Sequence, residues 1–241
     1  MKCQRTENHQ LTFCVTLIVT VLSSCATVKT HKPPFEWNDT FATAGTSLML
    51  EEKARMSGPQ GMGTLIRYEV KSTGFSSDEA VSLWRKVGTE YEKLPAALND
   101  SGVVLIGGFD VFMVGNFHSG EALDLALVSK TGKRAQAKVI PFPIQAQGAD
   151  GCSASAELLT KTAHLFLITV KGFESGEDVQ VTSEYKDEKL TNTHTASEGG
   201  ELKFPVLYGK GDRGKARFTA VGKECTVTLE YNVGKDALEV Q

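Results

Sequence analysis

Residues 68–83 read YEVKSTGFSSDEAVSL, and residues 166–181 read FLITVKGFESGEDVQV. Set side by side they align without a gap, at a constant offset of 98 residues, with five identical positions. These are Gly74/Gly172, Phe75/Phe173, Ser77/Ser175, Glu79/Glu177 and Val81/Val179, while Tyr68, Val70 and Leu83 meet Phe166, Ile168 and Val181 as apolar equivalents. Further on, Gly102-Val-Val-Leu-Ile106 falls on Gly200-Glu-Leu-Lys-Phe204 in the same register. The chain therefore reads as two copies of one module of roughly 100 residues.

Each copy carries strand signals. RYEV before Gly74 and HLFLITV before Gly172 are apolar runs rich in β-branched residues, and DVQVTSEY, ELKFPVLY, KARFTAV and CTVTLEY are short alternating runs separated by Gly-rich or charged turns. Such rhythm predicts antiparallel sheets packed face to face, not βαβ units. The segment DEAVSLWRKVGTEYEKLPAAL could form an amphipathic helix, but Gly88 and Pro95 would interrupt it and the repeat sets AVSLW on a strand. The fold class expected is all-β, and KVIPFPIQAQGADG (138–151), with its two prolines, marks the junction between copies.

The N-terminus reads as a targeting segment. Lys2 and Arg5 give a positive start, Leu11 to Leu22 form an apolar stretch, and Ser23 and Ser24 follow. That layout is a secretory leader, and the apolar run falls short of the about 20 residues a spanning helix needs. Leu22-Ser23-Ser24-Cys25 resembles the lipobox of bacterial lipoproteins. The resemblance implies cleavage after residue 24, lipid on Cys25, and a membrane partner reached through that lipid. Multiple acyl chains anchor durably where one does not, each buried methylene contributing about 0.8 kcal/mol. Ala26 after the cysteine, in place of Asp, implies sorting to the outer membrane of the bacterial envelope. Residues 25–40 then serve as lipidated cysteine and linker, with Pro33-Pro34 suiting an extended spacer.

Cysteine usage agrees with export. Cys3 and Cys14 leave with the leader and Cys25 carries lipid, so Cys152 and Cys225 remain as an even pair in an oxidising compartment. A disulfide between them would contribute roughly 4 kcal/mol in the chain-entropy model. The expected bridge staples the first and last strands of the second copy. By the repeat offset, Ala54 stands opposite Cys152 in the first copy.

Chemistry-bearing motifs are sparse. His31, His118, His164 and His194 are scattered, with no His, Asp or Glu at metal-ligand spacing, and no G-x-S-x-G elbow occurs. Gly209-Lys210-Gly211-Asp212-Arg213-Gly214 matches a dinucleotide fingerprint, but a strand follows where pyrophosphate binding needs a helix N-terminus, so a hairpin loop is expected. A formal net charge of −3 gives no electrostatic footprint for nucleic acid. No catalytic residue, metal or cofactor is assigned.

The repeated Gly-Phe…Glu-x-Val-x-Val phrase, with the strand rhythm, resembles bacterial immunoglobulin-like domains. It implies two tandem antiparallel β-sandwich modules, residues 41–143 and 144–241, with the Gly turning the chain and the Phe packing the corner. The function expected is that of a non-enzymatic envelope lipoprotein, acting as spacer, scaffold or protein-binding element towards a protein partner. A hydrolase with a loop-built site and a carbohydrate-binding module are the alternatives.

Overall fold

The computed structural model describes residues 33–38, 41–59, 63–87, 89–209 and 213–239. The leader, Cys25 and residues 26–32 of the spacer lie outside the described residues. The fold is all-β: the described residues form sixteen strands in four sheets, with antiparallel pairing throughout each sheet and one closing 3-10 turn at Lys235–Leu238.

The first half contains β1 (Ser47–Ser57), β2 (Thr64–Thr73), β3 (Val81–Val87), β4 (Glu90–Leu98), β5 (Val104–Ile106), β6 (Phe112–Val114), β7 (Leu123–Ser129) and β8 (Arg134–Val139). They form a sheet in the order β1-β2-β6 and another in the order β5-β4-β3-β7-β8. The second half contains β9 (Ile144–Gln147), β10 (Ser153–Leu158), β11 (Leu165–Lys171), β12 (Asp178–Tyr185), β13 (Glu188–Thr195), β14 (Leu202–Leu207), β15 (Arg213–Val221) and β16 (Thr226–Gly234). Their sheets run β14-β11-β10-β9 and β13-β12-β15-β16.

Period-two patterning sets which face is buried. In β16 Val227, Leu229, Tyr231 and Val233 point inward, while Thr226, Thr228, Glu230 and Asn232 stay exposed. In β11 Phe166, Ile168 and Val170 are fully buried. One apolar core joins both sheets of the second half, and a separate one, with Ile66, Tyr68, Leu83, Leu125 and Leu127, joins those of the first. Each such side chain contributes about 1.5–3 kcal/mol on burial.

The repeat phrase is one corner built twice. Gly74 and Gly172 hold positive φ (80° and 90°), where an added Cβ would press on the backbone of Gly45–Thr46 and Gly151–Cys152 respectively. Phe75 and Phe173 pack on the two cores. Glu79 accepts the Ser76 amide, and Glu177 accepts the Glu174 amide, closing the same turn in each copy. The next corner repeats as well. Asn99 Oδ1 accepts the Ser101 and Val103 amides, and Ser197 Oγ accepts the Glu201 amide. Gly102 and Gly200 then both turn with positive φ.

Three sequence expectations need correction. First, the bridge Cys152–Cys225 forms, but it does not staple first to last strand. Cys152 precedes β10, the second strand of its half, and Cys225 sits in the β15–β16 turn, so the bridge ties the two sheets together at their rim. Second, the counterpart of Cys152 is Thr46, not Ala54, because Ser47 pairs with Thr73 as Ser153 pairs with Lys171. The first hairpin is longer and carries a register shift between Glu52 and Ala54, which moves the equivalence along β1. Third, Gly209 and Gly214 do not flank a hairpin: β14 before them belongs to one sheet and β15, which begins at Arg213, to the other, while Lys210–Asp212 lie outside the described residues.

The halves are joined by more than the linker. Gly120 O accepts the Leu158 amide and Glu121 bridges to Leu158, while the Gly120 amide holds the junction itself by donating to Phe142 O. Lys138 pairs with Glu157 at 2.7 Å, and Lys161 pairs with Glu90. Phe35 and Trp37, in the segment read from sequence as spacer, also touch the fold. Phe35, Trp37 and Phe41 cluster with Trp84, Ala126 and Val128 on the outer face of β3 and β7.

Candidate binding groove

A groove of about 980 Å³ opens between β13 and β14, the edge strands of the second half's two sheets. Its floor is apolar: Val181 of β12, Phe218 of β15, and Phe204 and Tyr208 at the β14 side. Its rim is the β12–β13 hairpin. Tyr185 pairs with Glu188 across a two-residue turn, with Lys186 at φ 54°, the primed geometry that matches strand twist. Two leucines stand out of the walls into solvent, Leu190 at 64% and Leu207 at 69% exposure.

The floor is held rigid from below. Tyr208 and Tyr231 hydroxyls share a 2.5 Å hydrogen bond, and Tyr185 OH donates to Arg213 O at 2.9 Å. Phe166 and Tyr185 pack edge-on to Tyr208, at 6.3 and 4.9 Å between ring centres. Burial pushes the Tyr208 and Tyr231 phenols above their ordinary range, so both stay protonated. They serve as packing and hydrogen-bonding groups, not as acids. His194 of β13 lies against the Phe204 ring, 4.7 Å between centres, which props the β13 wall on the β14 wall.

Charges at the rim neutralise one another locally. Lys189 meets Glu184 at 2.8 Å, and that hydrogen bond holds the Glu184 carboxyl below the usual range. Arg217 meets Glu230 at 2.6 Å on the outer face of the same sheet. The groove thus offers apolar surface and exposed strand backbone without a dominant sign of charge.

The edges decide what the groove can do. Among the described residues β13 pairs only with β12, and β14 only with β11, so each has one unpaired side. All eight residues of β13 are exposed. Pro205 in β14 has no amide and fits a strand only where its nitrogen faces away from the partner, which interrupts that edge. β13 has no proline and keeps its free side intact, a template for an added strand.

Of the residues singled out from sequence, Cys152 and Cys225 come together and Cys25 lies outside the described residues. His31 also lies outside the described residues, and the described histidines stay apart: His118 near the junction, His164 beside Thr160 and Thr162, His194 on the groove. Among the described residues no group of three or more His, Cys, Asp or Glu could hold a metal ion. The groove itself escaped sequence reading because EKLTNTHT has no alternation and its turn lacks the Asn-Gly signature of a hairpin. Compared with known proteins, the chain matches no protein-family model and no curated protein.

Proposed function

We propose that this chain is a lipid-anchored, non-enzymatic protein of the bacterial cell envelope, two immunoglobulin-like β-sandwich modules in series, whose second module binds a protein partner. Leu22-Ser23-Ser24-Cys25 supports the anchor, with lipid on Cys25, and Ala26 supports outer-membrane sorting. The modules span residues 41–143 and 144–241. The immunoglobulin-like reading rests on connectivity: β10, β11 and β14 share one sheet, and β13, β12, β15 and β16 the other. The bridge at the sheet rim departs from the antibody pattern, where the disulfide crosses the core.

The observation that carries the binding role is the uncovered β13 edge above an apolar floor. A partner presenting an extended segment gains main-chain hydrogen bonds from β13 and seats alternate side chains in the groove. The test is crosslinking on intact cells, comparing the wild type with a Leu190→Glu/Leu207→Glu pair. A crosslinked species formed by the wild type and lost from the pair supports the reading, and equal crosslinking by both refutes the groove as its seat. For the anchor, Cys25→Ser should release the protein from the membrane fraction. Retention of a processed, detergent-phase species would refute the lipid.

A further inference from the structure

We infer that the outer face of β3, β4 and β7 in the first half is the surface laid against the bilayer, an interface for anionic phospholipid headgroups. This rests on the lipid-anchor reading above and adds which face of the molecule the membrane meets. Pro33 leads directly into the aromatic cluster on that face, where Phe35 packs on Phe41 at 4.7 Å and edge-on to Trp84 at 5.9 Å. Trp37 stacks on Phe41 at 6.2 Å and reaches Tyr91 of β4 at 6.1 Å. From Cys25 to Pro33 the chain takes eight residue steps, a reach of at most about 28 Å. A lipid on Cys25 therefore keeps the edge of this face at Pro33 within about 28 Å of the headgroups.

The composition of the face suits that position. Phe35, Trp37 and Tyr91 are half-exposed rings with apolar bodies, the residues that settle at a membrane–water boundary. Lys93 is exposed over the Trp84 ring at 5.8 Å, and the Arg134 guanidinium lies over Phe41 at 5.5 Å, so cations stand among the rings. The opposite outer face of the same half is of another kind. There Glu51 and Glu69 alternate with Lys53 and Lys71 in a lattice of ion pairs 2.6–3.1 Å long, already neutral and well hydrated.

Trp37 and Trp84 are the only tryptophans of the chain, and both lie in this cluster, so the face carries its own probe. The experiment places the full lipidated protein in vesicles of phosphatidylethanolamine and phosphatidylglycerol bearing a headgroup spin label. Flotation is scored first and tryptophan emission second. The expected result is flotation with emission reduced about twofold, most of that quenching being lost in Trp37→Phe, which keeps only the buried Trp84. A Lys93→Glu variant that leaves Trp37 in place should weaken the quenching in phosphatidylglycerol vesicles. Protein that floats without quenching overturns the face assignment while leaving the lipid reading intact. Protein that does not float overturns the lipid reading and this inference with it.

Discussion

After the shared corner at Gly102 and Gly200 the two halves part company. In the first, the chain leaves β2 after a single bridge from Lys71 to Val103, pairs as β5 with Ala96–Leu98 of β4, and returns to β2 as β6. The Gly107 amide extends that cover by donating to Pro95 O. In the second, the chain runs straight into β14 along β11, and among the described residues no strand pairs with the outer side of β13. The same architecture thus yields one closed edge and one open edge. The difference lies in a short stretch, residues 103–111 against a direct entry at Leu202. Duplication preserved the corners that fold each copy and left the edge free to diverge, which is where a binding role can be added without cost to the core.

A second divergence concerns how each half closes its rim. Cys152–Cys225 holds β10 to the β15–β16 turn, whereas in the first half the Thr46 hydroxyl donates to Arg134 O at 2.5 Å and Thr43 O at 2.8 Å. A covalent tie and a hydrogen bond occupy corresponding places. Removing the disulfide with Cys152→Ala/Cys225→Ala should give the largest loss, about 4 kcal/mol in the entropy model. Calorimetry would show it falling on the second half alone, and a loss shared equally by both halves would break the comparison.

Gly200→Ala should follow, with a loss of about 2 kcal/mol or more, because its Cβ would lie 2.0 Å from Phe173 O at a positive φ. Gly102→Ala meets Ser72 O at 2.5 Å and should cost a similar amount in the first half. Matching denaturant-midpoint shifts would sharpen the equivalence of the two corners. Thr46→Val removes only a hydrogen bond, and about 1 kcal/mol is expected from urea unfolding. That gap from the disulfide pair measures what the covalent tie adds.

The corner carboxylates predict a pH effect. Thr131 donates to Glu79 at 2.6 Å, with Lys133 at 3.1 Å, and these hold the Glu79 carboxyl down to about 2. The Lys223 and Glu174 amides hold Glu177 down as well. A carboxylate depressed on folding stabilises the fold above its ordinary value of 4.5, and the gain is lost as pH falls towards about 2. Glu79→Gln should flatten the decline of stability across that window, read as urea midpoints at successive pH values. An unchanged slope would show the corner is not a proton-linked element. The smallest effect belongs to Leu190→Glu/Leu207→Glu, both exposed, which should change the unfolding free energy by no more than about 0.5 kcal/mol, read from urea unfolding, while abolishing partner capture.

The corners were legible because their chemistry is local. Gly74, Phe75 and Glu79 act within a few residues of one another, and their spacing survives in Gly172, Phe173 and Glu177. The strands with one buried face, such as β11 and β16, were legible through alternation. β13 was not, since a strand exposed on both faces has no reason to alternate. Nor was the Thr46–Cys152 equivalence, which depends on the length of the first hairpin and its register shift. The aromatic cluster was hidden too, because Phe35 and Trp37 lie far in sequence from Trp84 and Tyr91.

The stitch at Gly120 makes the molecule a lever instead of two beads on a string. One backbone hydrogen bond, from the Leu158 amide to Gly120 O, and a strand bridge join the end of one half to β10 of the other, and φ of 78° with Ala156 O only 3.0 Å from a Cβ leaves no room for a larger residue. A load taken up at the β13 edge would travel through β12 and the core to β10, cross at Leu158, and arrive at the first half as torque about a fixed elbow. If the proposed lipid anchor holds the other end, it would then feel the direction of a pull as well as its strength.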